Sequence, residues 1–275
     1  IGAGLFSLTG IAAAENAGPA VVISFIIAAI ACGFAGLCYS ELASMIPVAG
    51  SAYTYAYVTL GELMAWIIGW DLVLEYAVGA ATVAVSWSRY TVSLLGTWGI
   101  GLPPQLTASP FETVHLADGS VAHGLINLPA VAIICAVSAI LIRGISQSAM
   151  VNAVIVTIKV LVIVAFIGFG ISYINPANYH PFIPPNDGTF GHYGFSGVMR
   201  AAGTIFFAYV GFDAVSTTAQ EAKNPARDMP IGILGSLLVC TLAYVCFAFV
   251  MTGLVNYRDM LGDAAPVATA INHTP

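Results

Sequence analysis

Long apolar runs separated by short polar breaks dominate the chain. An apolar run of about twenty residues is long enough to cross the hydrocarbon core of a bilayer as a helix. Such runs cover residues 20–45, 63–95, 149–174 and 231–254, with a shorter one at 128–142. The short run is followed closely by the next, which predicts a tight antiparallel helical hairpin. The pattern therefore predicts a helical membrane protein that crosses the bilayer several times.

The first apolar stretch, residues 5–14, is too short to span a bilayer alone. It follows the glycines of residues 2–4 and ends at a stretch that contains glycine and proline, residues 15–19. As a helix it rises only about 15 Å, half of the bilayer core. We expect this segment to be the second half of a span. On this expectation the chain is truncated, lacking the first half of that helix and everything after the seventh span.

Residues 198–230 depart from the pattern of an ordinary membrane helix. The apolar start leads into an aromatic and glycine-containing cluster, residues 206–212, and Asp213 follows where the bilayer core should be. Glycine weakens a helix. A helix broken at mid-depth leaves backbone N–H and C=O groups free, and these are tolerated only where they line a cavity or bind a ligand. This stretch therefore predicts a binding site within the membrane.

Two polar, proline-containing connections, residues 96–128 and 175–195, predict loops outside the bilayer. All of the histidines lie in these loops or near the end of the chain: His115, His123, His180, His192 and His273. A membrane enzyme would need bases or metal ligands that converge at depth. The distribution therefore argues against an enzyme and against a metal site.

Composition supports a membrane protein and excludes one class of partner. The chain is 59% hydrophobic and 7% charged, with a formal net charge of -6, which is too little charge to cover a soluble surface. Its 7 lysine and arginine residues form no basic patch, so nucleic acid is excluded as a partner. The 5 cysteines lie inside apolar runs without CxxC spacing, so we interpret them as small buried hydrophobic residues.

An internal similarity relates the first and sixth segments. In each, a glycine precedes a short half-helix that ends in a glutamate-to-proline stretch, residues 15–19 and 221–225. Two interrupted segments five spans apart are typical of an inverted repeat that holds its substrate at the paired breaks. Close helix packing through small residues is the alternative interpretation of these glycines.

Four motifs carry a family resemblance: IGAGLF at residues 1–6, PVAGSAY at 47–53, GWDLVLEY at 69–76, and FFAYVGFD continuing to EAKNP at 206–225. As a set they closely resemble the amino acid–polyamine–organocation permeases, specifically the cationic amino acid transporter branch. The resemblance covers essentially the whole chain apart from the two polar loops. It implies an all-α, polytopic fold built from an inverted five-helix repeat with broken first and sixth helices, so that residues 1–275 form one incomplete transmembrane domain.

The resemblance also implies roles for residues at the two breaks. Backbone N–H groups of Gly2, Ala3 and Gly4 would face the substrate carboxylate, helped by the positive end of the following half-helix. The carbonyl groups that would accept the substrate's ammonium group are those of Phe207, Ala208 and Val210, with the Phe207 ring covering the site. Ala3 stands where some relatives carry a hydroxyl residue, which leaves cationic and small neutral amino acids both open as substrates.

Ionisable residues inside predicted spans are functional candidates because a charge at mid-bilayer is costly. Lys159 matches the fifth-helix lysine of proton-coupled relatives, which occupies the place that a sodium ion has in sodium-coupled relatives. A desolvated lysine can lose its proton. A purely structural cation is the alternative interpretation of Lys159.

Glu75 lies four residues after Asp71, on the same helix face. It matches a carboxylate near the site in relatives, although pairing with Lys159 or Arg89 fits equally well. Asp213 would select a cationic side chain, relay protons or cap the second half-helix.

We therefore predict a secondary transporter of amino acids that moves its substrate by alternating access. We expect an integral protein of the plasma membrane that couples uptake to protons, with no cofactor. Its expected partners are an amino acid, protons and the lipid bilayer. An amino acid exchanger, or a sensor that binds without transport, fits the same sequence.

Overall fold

The computed structural model describes residue 2 and residues 4–115, 120–142, 145–261 and 265–272, which are mostly helical. The α-helices are α1 (Thr9–Ala12), α2 (Val21–Met45), α3 (Ser51–Leu60), α4 (Glu62–Thr97), α5 (Leu128–Ile142), α6 (Ile145–Gly170), α7 (Gly194–Phe206), α8 (Pro225–Leu254) and α9 (Pro266–Asn272). Two short strands, β1 (Thr113–His115) and β2 (Val121–His123), form an antiparallel hairpin in the first polar loop.

Five helical stretches of the described residues are long and apolar enough to cross a membrane: Gly4–Met45, Glu62–Thr97, Met150–Tyr173, Gly194–Gln220 and Pro225–Leu254. A further apolar helix, α5, has 15 residues. The side chains on these helices include many large hydrophobic groups that are exposed on the isolated chain, as expected for surfaces that face lipid. The protein is an all-α, polytopic membrane protein, as the apolar runs predict.

Helix boundaries agree with the apolar pattern where polar residues or proline flank the run, and differ elsewhere. α5 has the predicted bounds and α2 begins one residue after the predicted start. α8 begins at Pro225, six residues before the predicted start at residue 231. Proline suits the first position of a helix, and the Asp228 carboxylate accepts a hydrogen bond from the Asn224 N–H at 3.0 Å. These two features extend the helix into a polar stretch that hydropathy does not count.

The first segment, residues 4–20, is helical in short pieces of different pitch. It is a π-helix over Gly4–Leu8, α-helical over Thr9–Ala12 and again a π-helix over Ala13–Ala17. The helical run is interrupted at Gly18, whose φ of +60° lies in the left-handed region that favours glycine. The predicted half-helix at 5–14 therefore continues a few residues further before α2 begins.

The chain divides into two compact units, Ile1–Tyr76 with Ile163–Pro275, and Ala77–Val162. In the first unit, α2 packs along α7 and α8. Its core includes fully buried side chains from four elements: Leu5, Phe25, Ile205, Tyr244 and Phe247. Gly36 of α2 faces α8, and a Cβ there would make an ordinary contact with a Leu234 methyl group, at 3.5 Å.

The second unit contains the polar loop with the hairpin. Arg89 forms a 2.7 Å ion pair with Glu112, just before β1. The Ser88 hydroxyl donates to the Asn127 side chain at 2.6 Å, and the same Asn127 oxygen accepts from the Ala130 N–H at 3.1 Å. The loop is thus linked to the C-terminal part of α4 and to the start of α5. The hairpin is not predicted by the sequence pattern, because its strands are only three residues long.

The loop before α7 holds the end of the first segment. Asn16 donates from its side chain to the Gly191 carbonyl at 2.9 Å, and its own carbonyl accepts from the Tyr193 N–H at 2.8 Å. The Tyr193 hydroxyl donates to the Ala14 carbonyl at 2.6 Å. A Cβ on Gly197 would lie 2.1 Å from the Asn16 carbonyl oxygen. The first segment is therefore fixed to the start of α7 by backbone contacts.

An acidic side chain organises the turn that precedes these contacts. Asp187 accepts a hydrogen bond from the Thr189 N–H at 3.0 Å, and its other oxygen lies 2.5 Å from Nδ1 of His192. The Thr189 N–H is the main cause that lowers the pKa of Asp187 from its ordinary value of 3.8, with His192 contributing. A lowered carboxyl pKa stabilises the folded state above the ordinary value, and the contribution is lost as pH falls through the folded-state pKa.

We therefore expect Asp187→Asn to lower the melting temperature at neutral pH by a small amount. The difference from the parent protein should shrink as the pH falls below about 4, because the parent's carboxylate is then protonated as well. Thermal denaturation of purified protein across this pH range checks the expectation. A difference that grows with acidity would contradict it.

Candidate functional site

The first and sixth segments meet at their backbones. α7 ends at Phe206, and a 3₁₀ turn, Phe207–Tyr209, follows it. A Cβ on Gly4 would lie 2.3 Å from the Ala208 Cα and 2.6 Å from the Ala208 Cβ. Real side chains do not approach so closely, so only glycine fits at position 4 unless the segments move apart. The sequence analysis predicts both positions as site residues, and the structure brings them together.

Helical hydrogen bonding changes at residues 207–213. The N–H of Val210 donates to the Phe207 carbonyl at 3.3 Å, and that of Ala214 to the Gly211 carbonyl at 3.2 Å. Gly211 has a φ of +104°, a conformation that L-residues with a side chain rarely adopt. A second 3₁₀ stretch, Asp213–Glu221, follows. Within the described residues, no donor reaches the Val210 carbonyl.

The Ala208 carbonyl is held by a residue that the sequence analysis does not single out. The Tyr244 hydroxyl of α8 donates to it at 3.2 Å, and the Tyr244 side chain is 1% exposed. The ring of Tyr244 lies 5.3 Å from that of Tyr209, whose hydroxyl donates to the Phe25 carbonyl at 3.1 Å. Three buried aromatic side chains thus fix the orientation of this backbone turn.

The start of the first segment presents backbone donors. The Gly2 carbonyl accepts from the N–H groups of Leu5 and Phe6, at 3.0 and 3.2 Å. These bonds start a helix at this point, and the N–H groups of Gly2 and Gly4 lie at its positive end. Gly4 is buried and Gly2 half-buried, while Ala3 lies outside the described residues. Phe207 is half-buried.

Asp213 is placed differently from the other predicted substrate contacts. It is 5% exposed. Its Oδ2 accepts from the Tyr76 hydroxyl at 2.7 Å and from the Ser51 hydroxyl at 3.4 Å. Of the three predicted roles, capping the second half-helix is not seen, because these partners are side chains of α3 and α4 rather than N–H groups of residues 213–221.

The two predicted proton-coupling residues lie in different units. Glu75 is half-buried on α4, immediately before Tyr76. Lys159 is half-buried on α6, in the second unit. Asp71, one turn before Glu75, is exposed. Among the described residues there is no group of acidic, histidine and cysteine side chains that could hold a metal ion.

Comparison with known proteins decides the family. The sequence profile described as amino acid permease matches residues 1–271. The chain belongs to the amino acid permease family. Membership in a permease family indicates a transporter rather than an enzyme, and it agrees with the resemblance seen in the motifs.

Curated relatives of this permease carry different substrate names. The chain is 46% identical over 272 residues to the methylthioribose transporter of Bacillus subtilis, and 47% identical over 273 residues to the branched-chain amino acid permease BcaP of the same organism. Each alignment covers 98% of this chain and 55% of the relative. Cationic amino acid transporter 9, chloroplastic, of Arabidopsis thaliana is 39% identical over 278 residues, covering 99% and 46%. The chain spans about half the length of the curated relatives it matches.

Proposed function

We propose that this permease carries amino acids across the membrane and holds them where its first and sixth segments meet. The close approach of Gly4 to Ala208 is the observation that carries the proposal. Two stretches of irregular backbone touch there, inside helical runs that are long enough to span the bilayer. Irregular backbone at membrane depth is costly unless it lines a cavity or binds a polar ligand. A zwitterionic substrate supplies the two charges that such a junction can bind.

The substrate carboxylate would bind at the N-terminal end of the first segment. There the N–H groups of Gly2, Ala3 and Gly4 combine with the positive end of the helix dipole, which favours an anion. Gly4 is buried against Ala208, and a side chain at position 4 would clash with Ala208.

The substrate ammonium group would bind at the carbonyls of residues 207–210. Of the three predicted acceptors, the Phe207 carbonyl accepts the Val210 N–H and the Ala208 carbonyl accepts the Tyr244 hydroxyl. Each keeps one lone pair for a further donor. The Val210 carbonyl has both lone pairs available within the described residues, so we assign it the principal contact. Phe207 would then cover the bound amino acid with its ring.

We also propose that uptake is coupled to protons, with Lys159 as the group that gains and loses one and Glu75 as a second participant. Both stand within helices that span the membrane, where an ionisable group is costly and is usually functional. The bacterial relatives favour the plasma membrane as the location of this permease.

Competition experiments can identify the chemical class of side chain that the substrate carries. Relatives are named for branched-chain amino acids, for cationic amino acids and for methylthioribose. The last compound lacks the zwitterion that the proposed site would recognise. We therefore expect amino acids, and not methylthioribose, to compete for the site.

Uptake into proteoliposomes tests this function. The complete permease, without sodium, is given radiolabelled leucine, alanine or arginine, with and without an inward proton gradient. Accumulation that requires the gradient is the expected result. Exchange against preloaded amino acid without net accumulation would instead make the protein an antiporter, and binding without either movement would make it a sensor.

The support of the Ala208 carbonyl by Tyr244 gives a separate expectation. Tyr244→Phe leaves a buried acceptor without its donor, which costs roughly 1–3 kcal/mol. Because the carbonyl then turns away from the substrate, we expect KM to rise about tenfold, as a loss of about 1.4 kcal/mol implies. Initial rates over a range of substrate concentrations check this.

Tyr179→Phe is the matched control for this variant. Its hydroxyl also donates to a backbone carbonyl of α8, that of Phe249, at 2.7 Å, but it lies in the loop before α7. The control should leave KM unchanged. An equal rise in KM for both variants would contradict a local role for Tyr244.

A further inference from the structure

The carboxyl group of Asp213 joins three separate elements of the first unit. Asp213 opens the 3₁₀ stretch Asp213–Glu221. Its partners are Ser51, the first residue of α3, and Tyr76 on α4. The Tyr76 contact is short, at 2.7 Å, and a hydroxyl-to-carboxyl bond of this length is among the stronger hydrogen bonds in proteins. One side chain therefore ties the second half of the sixth segment to both other elements.

The carboxyl group is buried on the side of the sixth segment and α3. Ser51 is 1% exposed and Ser216 is fully buried, whereas Tyr76 on α4 is 40% exposed on the isolated chain. Below them lies a hydrophobic cluster formed by Ala43, Tyr55, Ala219, Met229 and Ile233. The ring of Tyr39 covers the cluster from α2, 5.9 Å from the Tyr55 ring and 5.7 Å from the Phe212 ring. Polar bonds in such an environment are costly to break without replacement.

A glycine in a left-handed conformation lies two residues before Asp213. Gly211 has a φ of +104°, and a Cβ there would have nothing within 4 Å. Its position is therefore conformationally permissive and not enclosed by neighbours. Residues 213–221 can rotate about this point only if the Asp213 bonds to α3 and α4 break.

We propose that Asp213, Tyr76 and Ser51 form a latch that holds residues 213–221 against α3 and α4 and opens once in each transport cycle. Tyr76 and Ser51 are then positioning residues, and Asp213 acts on the movement of the segment instead of selecting the substrate side chain. The assignment of the movement to transport rests on the function proposed above.

Accessibility of a buried cysteine tests the latch. Ala219 lies on the same segment and is fully buried. Ala219→Cys is made in the complete permease after its native cysteines are replaced, and the rate of modification by a small thiol reagent is measured. Ala222→Cys, at the edge of the cluster, is a second reporter in case the first variant folds poorly.

We expect Tyr76→Phe to speed modification at least about fivefold, because the loss of one such bond, about 1 kcal/mol, shifts the opening equilibrium by that factor. Substrate affinity should stay within about twofold. Asp213→Asn keeps an acceptor oxygen and should have a smaller effect than Asp213→Ala. Combining Asp213→Ala with Tyr76→Phe should add little to Asp213→Ala alone, since Asp213→Ala already removes the bond to Tyr76.

Tyr57→Phe is the matched control, because it removes an exposed hydroxyl from α3 that reaches only Glu62, at 3.4 Å. It should leave the modification rate unchanged. An unchanged rate in Tyr76→Phe, or Asp213→Asn that weakens binding of arginine and not of leucine, would overturn the latch. The labelling comparison needs no substrate. A permease that fails to accumulate amino acids would therefore contradict the transport proposal, while the labelling rates would still test the latch.

Discussion

Replacing Gly4 with alanine should reduce the initial rate of amino acid uptake at least about tenfold. The added methyl group would lie 2.3 Å from the Ala208 Cα, and backbone cannot swing aside as a flexible side chain can. Forcing a group into packed structure costs roughly 1–3 kcal/mol and at times more. The first and sixth segments must then separate, which displaces the N–H groups from the carbonyls that are proposed to bind the two ends of the substrate.

Gly203→Ala on α7 is the control for this change. It adds the same methyl group to the sixth segment, at an exposed position with nothing within 4 Å. Uptake by this variant should match the parent protein. If Gly4 serves only for close packing, Gly4→Ala will lower the melting temperature while the folded fraction binds substrate with parental affinity. Measuring thermal stability and substrate affinity on the same sample separates these outcomes.

Replacing Lys159 with methionine should abolish the stimulation of uptake by an inward proton gradient. Methionine has a similar length and no ionisable group, so the variant keeps much of the packing and loses the proton site. Uptake at saturating substrate should become independent of external pH. Uptake rates measured at a fixed internal pH, with the external pH varied, check this expectation.

The other lysine of the chain offers a charge-matched control. Lys223 is exposed, just before α8, so Lys223→Met removes the same charge outside the spanning helices. It should keep the response to the gradient. If Lys159→Met keeps its stimulation by acid, the role of Lys159 is structural and another group couples uptake to protons.

The membrane architecture could be predicted because apolar length alone determines it. α5 matches the predicted bounds and α2 nearly so, since proline or polar residues end both apolar runs. The early start of α8 at Pro225 was missed because its first turn is polar and is stabilised by Asp228. The β-hairpin was missed because three-residue strands leave too little pattern to detect.

For the candidate site, the sequence predicts where the backbone is irregular but not which side chains support it. Glycines and a carboxylate within apolar runs indicate the two breaks, and Gly4 and Ala208 do meet. Tyr244 and Tyr76 gave no such signal, because each tyrosine lies in an otherwise ordinary helix. Their hydrogen bonds to residues 208 and 213 join positions 36 and 137 residues apart. Only the packing of the helices brings such partners together. The inverted repeat stays a prediction.

The most direct test of the account is a cryo-EM structure of the complete permease with a bound amino acid that competes for uptake. The account predicts substrate density between the two segments, with the carboxylate at the N–H groups of residues 2–4. The ammonium group should lie within hydrogen-bonding distance, about 3 Å, of the Val210 carbonyl. Density for the amino acid elsewhere in the protein, with Gly4 and Ala208 still in direct contact and no substrate beside them, would contradict it.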